Sequence, residues 1–179
     1  MSFDVLFVHG PPAAGKFTVA KVLAGALDWP LFHNHLGVDA ALGLFEFGTP
    51  EFVELRARFW REGWAAAARA RRSFIFTFNP ENSVNPALID ELVALVRDAG
   101  GRVHFVELTC SLDAIRARLV AEDRGRFEKL RDGALFEAAR AVGAFEFPPL
   151  PAPLVRVDTS AQSPQEAADL ILAALDAAT

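Results

Sequence analysis

The segment Gly10-Pro-Pro-Ala-Ala-Gly15-Lys16 constrains the possible fold more than any other feature of the sequence. It follows the apolar run Phe3–Val8, which is typical of a buried strand, and it precedes a run with helical spacing around Val19. A glycine-rich loop between a strand and a helix can wrap an anion, because backbone amides at a helix N-terminus carry partial positive charge. The sequence therefore predicts a phosphate-binding loop here.

The basic residues support this prediction. Of the 18 basic residues, 15 are Arg and three are Lys, and one of these Lys stands at position 16. A compact ammonium is needed there to reach the outer phosphates of a nucleotide, and the planar fork of Arg is not an equivalent substitute. The phosphate-binding residues predicted from the loop are Gly10, Ala13, Ala14, Gly15 and Lys16.

Short apolar runs alternate with segments of helical spacing along the rest of the chain. The predicted strands are Phe3–Val8, Leu31–His33, Phe74–Phe78, Val103–Leu108 and Leu154–Val157. Helices are predicted to begin where a capping residue precedes Pro, at Thr49-Pro50, Asn85-Pro86 and Ser163-Pro164. This alternation predicts a three-layer α/β/α domain, residues 1–179, around a five-stranded parallel sheet.

Composition narrows the classes of partner and location. The 179 residues carry a net charge of −5, with 52% hydrophobic residues and a pI of about 5.4. Without a basic field, duplex nucleic acid and anionic membranes are not expected partners. The longest stretch free of charged side chains, Val5–Gly15, is too short to span a membrane. We expect a cytoplasmic monomer or homodimer.

The loop departs from the usual pattern after its lysine. Phe17 stands where Ser or Thr usually binds Mg²⁺, and the hydroxyl comes one residue later, at Thr18. This Gly-Lys-x-Thr arrangement resembles the loop of adenylate kinase and its nucleoside monophosphate kinase relatives. The resemblance places the chain among P-loop small-molecule kinases. It implies ATP and Mg²⁺ as cofactors, Phe17 and Thr18 at the nucleotide, and Thr18 as the metal-binding residue.

The resemblance also implies an arginine-bearing lid after the fourth strand. Residues 122–132 are rich in charge and lack an apolar stripe, as expected of such a lid. The resemblance assigns Arg118 to stacking on the adenine, and Arg124 and Arg126 to the transferring phosphoryl group. The alternative is a solvated charged helix, since Arg is common throughout this chain.

The acceptor is expected beyond the second strand, because ligands bind past the carboxyl ends of parallel strands. Shikimate- and gluconate-kinase-like proteins place substrate-binding acids in this region, which corresponds here to residues 34–61. Asp39 is the candidate base for an acceptor hydroxyl, or alternatively an acid stabilised at a helix N-terminus. His33, Asn34 and His35 are candidate acceptor-binding residues. A metal held by the two histidines is the less favoured interpretation, since a third ligand is not apparent.

The helix predicted after Thr49 supplies the other side of this segment. Its expected core stripe is formed by Phe52, Leu55, Phe59 and Ala66. Trp60 and Trp64 are expected to pack in the core or at an interface. Arg56, off the stripe, is a candidate clamp for a substrate carboxylate or phosphate, as an Arg of the corresponding region is in shikimate kinase.

These patterns together predict an ATP-dependent phosphotransferase acting on a small-molecule acceptor such as a nucleoside, nucleotide, sugar or shikimate-like acid. The run Phe74–Phe78 ends without an acid, which counts against remodelling ATPases and switch GTPases. Two alternatives stay open. One is an ATP-binding regulator without catalysis, and the other is a P-loop ATPase or toxin-like kinase with a larger substrate.

Overall fold

Strands and helices alternate along the chain, as the spacing of the apolar runs predicts. The computed structural model describes residues 3–119 and 133–178. Its elements are, in chain order, β1 (Asp4–His9), α1 (Lys16–Leu27), β2 (Leu31–His33), α2 (His35–Leu42), α3 (Pro50–Arg69), β3 (Phe74–Phe78), α4 (Pro86–Asp98), β4 (Arg102–Thr109), α5 (Leu112–Leu119), α6 (Gly133–Ala141), β5 (Val155–Asp158) and α7 (Pro164–Ala177).

The strands of the described residues form one sheet in the order β2-β3-β1-β4-β5. Every neighbouring pair is parallel, so all carboxyl ends lie at the same edge. The central strand is β1, whose Phe7 lies opposite Phe76 of β3 and Phe105 of β4. The predicted five-stranded parallel sheet is confirmed. The bounds of β2 and β3 are as predicted, and the ends of the other three strands differ by one residue.

Helices cover both faces of the sheet and bury two separate cores. Residues of α3 and α4 pack with Val5 and Phe7 on one face. Residues of α1 and α7 pack with Leu6 and Val8 on the other face. Successive side chains of β1 therefore enter opposite cores, as the alternation of a strand requires. The three-layer α/β/α fold is confirmed.

The core on the α3 side is dominated by aromatic rings. The Phe7 ring lies 4.8 Å from Phe105, 5.4 Å from Phe76, 5.5 Å from Phe78 and 6.0 Å from Trp64, measured between centroids. Tilted and edge-on pairs of this kind each contribute roughly 0.5–1.5 kcal/mol beyond the burial of their area. They make a rigid platform below the carboxyl end of β1.

The predicted helix starts are confirmed in the capping geometry. The Thr49 hydroxyl accepts a hydrogen bond from the Phe52 amide, and the Asn85 side chain accepts one from the Ala87 amide. At α7, the Ser163 side chain and the Glu166 carboxylate cap each other's backbone amides. Each such cap is worth about 1 kcal/mol, so these three helix boundaries are encoded locally.

The buried face of α3 differs from the predicted stripe. Its buried residues are Phe52, Arg56, Trp60, Trp64 and Ala68, whereas Phe59 is 38% exposed. The prediction was wrong for Phe59 and Ala66, which are exposed, and for leaving Arg56 off the stripe. Leu55 is partly buried against Val38, Ala41 and Phe52. Both tryptophans pack in the core, as predicted.

The longest helix in the described part of the chain is α3, with 20 residues. Arg and Glu side chains recur along its whole length, so it is not apolar. Within residues 3–119 and 133–178, no helix combines the length and the apolar character needed to cross a membrane.

Candidate active site

The Gly10–Lys16 loop joins the central strand β1 to the start of α1 at the carboxyl edge of the sheet. Ala13 and Gly15 adopt left-handed backbone conformations, with φ of 61° and 83°. The Ala14 amide donates a hydrogen bond to the Pro11 carbonyl across this turn. Backbone of this kind forms concavities lined by N–H groups, which are suited to phosphate oxygens. Binding of phosphate by these loop residues stays a prediction.

Two side chains hold the loop in this conformation. A left-handed alanine costs free energy, so Ala13 needs support from its surroundings. Arg118 of α5 donates from Nη1 to the Ala13 carbonyl at 3.2 Å. The Thr159 hydroxyl, just after β5, donates to the Ala14 carbonyl at 2.9 Å. Arg118 also donates to the hydroxyl and carbonyl of Thr159, at 3.2 and 2.5 Å. The loop is thus tied to two neighbouring elements.

The Lys16 ammonium lies on this loop. Its Nζ donates to the carbonyls of Gly10 at 2.8 Å and Pro11 at 2.6 Å, and to Asn79 Oδ1 at 3.3 Å. Asn79 follows β3, the neighbour of β1 in the sheet. A compact positive charge therefore lies between the carboxyl ends of the two strands, where ligands bind in open parallel sheets.

The two residues after the lysine lie differently. The Phe17 ring meets the His33 ring edge-on, with centroids 5.0 Å apart. The side chain at the position that usually carries the Mg²⁺-binding hydroxyl is thus an aromatic ring facing β2, and it offers no oxygen. Thr18 is exposed on α1, so its hydroxyl can be reached. The assignment of Thr18 to the metal stays a prediction.

The predicted acceptor side begins at this aromatic contact. His33, buried at the end of β2, has its ring centroid 6.2 Å from that of His35. His35 begins α2, and Asp39 lies one turn later on the same helix. Phe17, His33 and His35 therefore connect the loop to α2. The helix dipole stabilises acids within the first turn, and Asp39 lies beyond that turn. Stabilisation at the helix N-terminus therefore does not explain an acid at this position.

Asn34 is held between β3 and α3. Its backbone N–H donates to the Thr77 hydroxyl at 3.2 Å, and that hydroxyl donates to the side-chain Oδ1 of Asn34 at 3.1 Å. Trp60 Nε1 donates to the Asn34 carbonyl at 3.4 Å. These bonds fix the connection between β2 and α2. A contact between Asn34 and substrate stays a prediction.

Metal binding by the histidine pair gains no further ligand from the structure. Among residues 3–119 and 133–178, no three side chains of His, Cys, Asp or Glu are grouped so that they could hold a metal ion. His33 and His35 therefore remain candidates for hydrogen bonding to an acceptor.

Arg56 is buried in α3, with a side chain only 1% exposed. Its Nη1 donates to Glu81 Oε1 at 2.5 Å and to the Ser83 hydroxyl at 3.2 Å. Its Nη2 donates to the Ser83 carbonyl at 2.9 Å. Burial lowers the pKa of Arg56, and the Glu81 carboxylate opposes this effect. Arg56 thus lies in an internal ion pair, and its use as a substrate clamp stays a prediction.

The predicted lid lies mostly outside the described residues. Arg124, Arg126 and the segment 122–132 belong to the part that is not described. Arg118 is described, and its guanidinium holds the Ala13 and Thr159 carbonyls. This places Arg118 beside the phosphate loop. Its stacking on an adenine stays a prediction.

His9 is a buried titratable group directly before the loop. It is 7% exposed, and its Nε2 has no hydrogen-bond partner among the described residues. Burial lowers its pKa to about 4; the Glu107 charge opposes this shift, and the Lys16 charge adds to it. The imidazole is therefore neutral at neutral pH.

Comparisons with known proteins show which solved structures have the same fold as this chain. No protein-family model matches the sequence, and no curated protein matches it. Solved structures do match. The Mycobacterium tuberculosis APS kinase, in complex with AMPPNP and APS, gives a TM-score of 0.68 at 15% identity over 98% of both chains. The chain has the fold of P-loop small-molecule kinases.

Two further structures have the same fold. A sugar kinase from Janibacter sp. HTCC2649 gives a TM-score of 0.65 at 20% identity, over 98% of this chain and 95% of that chain. A gluconokinase from Sinorhizobium meliloti 1021 gives a TM-score of 0.64 at 19% identity, over 99% of this chain and 95% of that chain. At these identities the likeness concerns the fold, which agrees with the resemblance noted in the loop sequence.

Two residues near the loop carried little signal in the sequence. Thr159 is a single hydroxyl after a short strand, and its hydrogen bond to the loop depends on β5 lying beside β4. Asn79 follows β3, at the place where an acid is often found, and its contact with Lys16 depends on β3 lying beside β1. The carboxyl-end position of both residues was the available indication.

We expect Gly10→Ala to destabilise the protein. An added Cβ would lie 2.2 Å from the Leu108 carbonyl oxygen, and φ at this position is +154°. The clash with backbone and the unfavourable φ should lower the free energy of unfolding by about 2–4 kcal/mol, measured by urea denaturation. Gly25→Ala is the control. It adds a methyl group in open space on α1 and should stabilise by about 0.5–1 kcal/mol. Equal stabilities of the two variants would contradict this account of the loop.

His9 should make stability depend on pH. Its pKa falls from 6.5 in the unfolded chain to about 4 in the folded protein, so between these values the unfolded state binds more protons. The stabilisation is complete above pH 6.5 and is lost as the pH falls towards 4, by about 3 kcal/mol in total. We therefore measure the free energy of unfolding by urea denaturation at several pH values between 7 and 4.5. It should fall less steeply with decreasing pH for His9→Leu than for the unchanged protein. Parallel slopes would show that His9 does not titrate in this way.

Proposed function

We propose that this protein is an ATP-dependent phosphotransferase that acts on a small-molecule acceptor. The observation that carries the proposal is the Lys16 ammonium on the Gly10–Lys16 loop, between the carboxyl ends of β1 and β3. The proposal is supported by the fold, which is shared with a sugar kinase, an APS kinase and a gluconokinase.

The loop suits the phosphates of ATP. Backbone N–H groups around the left-handed residues Ala13 and Gly15 would bind phosphate oxygens, and Lys16 would add its point charge. Arg118 and Thr159 preorganise this cradle, because they hold the Ala13 and Ala14 carbonyls. When bound, Mg²⁺ would neutralise charge on the phosphate oxygens, and Thr18 is the residue that the resemblance assigns to it. The structure of APS kinase with AMPPNP supports a nucleotide in this fold.

The acceptor side would be formed by residues 34–61, within one domain that also carries the lid 122–132. His33, Asn34 and His35 would orient the acceptor next to the loop. Asp39 would accept the proton of an acceptor hydroxyl as the hydroxyl oxygen bonds to the γ-phosphorus of ATP. The bond from that phosphorus to the β–γ bridging oxygen would break, and ADP would leave. Arg124 and Arg126 of the lid would stabilise the charge that develops on the transferring phosphoryl group.

Replacing Lys16 tests the nucleotide side. Lys16→Ala removes a charge-assisted contact worth about 1.5–3 kcal/mol, so affinity for ATP should fall roughly 10- to 100-fold in isothermal titration calorimetry. Lys21→Ala, an exposed position on the same helix, is the matched control and should bind ATP like the unchanged protein. Unchanged ATP affinity and activity in Lys16→Ala would exclude the proposed function. Lys16-dependent ATP binding without transfer to any acceptor would favour a regulator.

Replacing Asp39 tests the acceptor side. An ATP-consumption screen over nucleosides, nucleotides, sugars and shikimate-like acids identifies a working acceptor. With that acceptor, Asp39→Asn should lower kcat by roughly 10²- to 10⁴-fold, as expected for loss of a general base. ATP affinity should change much less than kcat, because Asp39 belongs to α2 and not to the Gly10–Lys16 loop that is assigned to the nucleotide. Asp90→Asn, exposed on α4, is the control. Equal kcat values for the two variants would remove Asp39 from the mechanism.

A further inference from the structure

Arg56 is enclosed by the protein. Its guanidinium lies 5.1 Å from the Phe52 ring centroid and 5.2 Å from the Trp60 ring centroid. Its Nη1 and Nη2 donate to Glu81 and Ser83, and its Nε is buried without a hydrogen-bond partner among the described residues. Arg does not lose its proton in proteins, so this buried charge is kept and is neutralised by Glu81. A guanidinium in this position has no exposed edge to offer to an anionic ligand.

Glu81 follows β3 and contacts Arg56, which belongs to the predicted acceptor segment 34–61. It is two residues after Asn79, whose side chain contacts Lys16, and two residues of chain span at most about 7 Å. Its Oε1 accepts hydrogen bonds from Arg56 Nη1 and from the Ser83 hydroxyl, the latter at 2.9 Å. The side chain is nevertheless 17% exposed. The ion pair therefore fixes the carboxylate in orientation, while part of the Glu81 side chain stays open to solvent at the carboxyl edge of the sheet.

We propose that Glu81 is a carboxylate that binds the acceptor, that Arg56 is its positioning residue, and that the acceptor is a hydroxyl compound without negative charge. The inference rests on the proposed phosphotransferase function. An uncharged acceptor donates hydroxyl hydrogen bonds to Glu81, and Asp39 on α2 takes the reacting proton. An anionic acceptor would lie against Glu81, or would have to separate Glu81 from a buried arginine. Both are unfavourable.

This assignment changes the role predicted for Arg56 from the sequence. A clamp for carboxylate or phosphate needs a guanidinium whose donors face the ligand. In the structure those donors face Glu81 and Ser83. Arg56 acts through Glu81, and the specificity that follows is for hydroxyl groups.

Matched pairs of acceptors test the substrate class. The probes are glucose and gluconate, ribose and ribose 5-phosphate, and adenosine and AMP, each measured for transfer of labelled phosphate from ATP. For any pair in which the protein phosphorylates at least one member, we expect kcat/KM to be at least 10-fold higher for the uncharged member. Preference for the anionic members, or transfer to no uncharged probe, would overturn the assignment.

Variants test the two residues. In Glu81→Gln, the ratio of kcat/KM between the uncharged and anionic members should fall at least 10-fold, because Arg56 loses its counter-ion. The double variant Arg56→Met with Glu81→Gln carries neither charge, and serves if the single variant does not fold. It should lose the preference without gaining one for anions. Glu54→Gln, exposed on the same helix as Arg56, is the control. If the Arg56–Glu81 ion pair had only a structural role, these variants would lower kcat/KM for both acceptors by the same factor. An unchanged ratio of the two kcat/KM values would overturn the proposal.

ATP affinity separates this inference from the proposed function. ATP binding should depend on Lys16 and be unaffected by Glu81→Gln, as measured by calorimetry. ATP binding that is independent of Lys16 would overturn the proposed function itself. Lys16-dependent binding, with transfer that prefers anionic acceptors, would overturn only the roles of Glu81 and Arg56.

Discussion

The central position of β1 is the constraint on which the rest of the site depends. The strand is hydrogen-bonded to β3 on one edge and to β4 on the other, and Phe7 locks it into the aromatic core. The loop that follows therefore starts from a fixed point. Thr159 and Arg118 then tie its carbonyls to β5 and α5. A strained backbone at Ala13 persists because these neighbours are themselves held in place.

The charges around this edge of the sheet are divided between two sides. Lys16 brings a positive charge to the loop, and Arg118 lies against the same loop. On the acceptor side, Arg56 is the only basic residue on the buried face of α3, and Glu81 neutralises its charge. Such a division suits an anionic donor on the loop and an acceptor that presents hydroxyl groups.

Much of the fold could be predicted because its signals are local. Short apolar runs predicted the strands, and the capping residues Thr49, Asn85 and Ser163 predicted the helix starts. The buried face of α3 could not be predicted in the same way. Arg56 looks like a surface residue in sequence, and only its pairing with Glu81, 25 positions away, makes its burial favourable. Beyond Phe52, the stripe was therefore predicted one residue early, at Leu55 and Phe59 in place of Arg56 and Trp60.

Local sequence patterns specify the alternation of strands and helices and the phosphate loop with its lysine, because these features depend on residues next to one another in the chain. Which side chains meet at the carboxyl edge depends on how the strands and helices pack together. Asn79 reaches Lys16, and Thr159 reaches Ala14, because parallel strands bring their ends together. The same packing places Arg56 inside the protein facing Glu81. Contacts between residues distant in sequence depend on strand order, which local patterns do not specify.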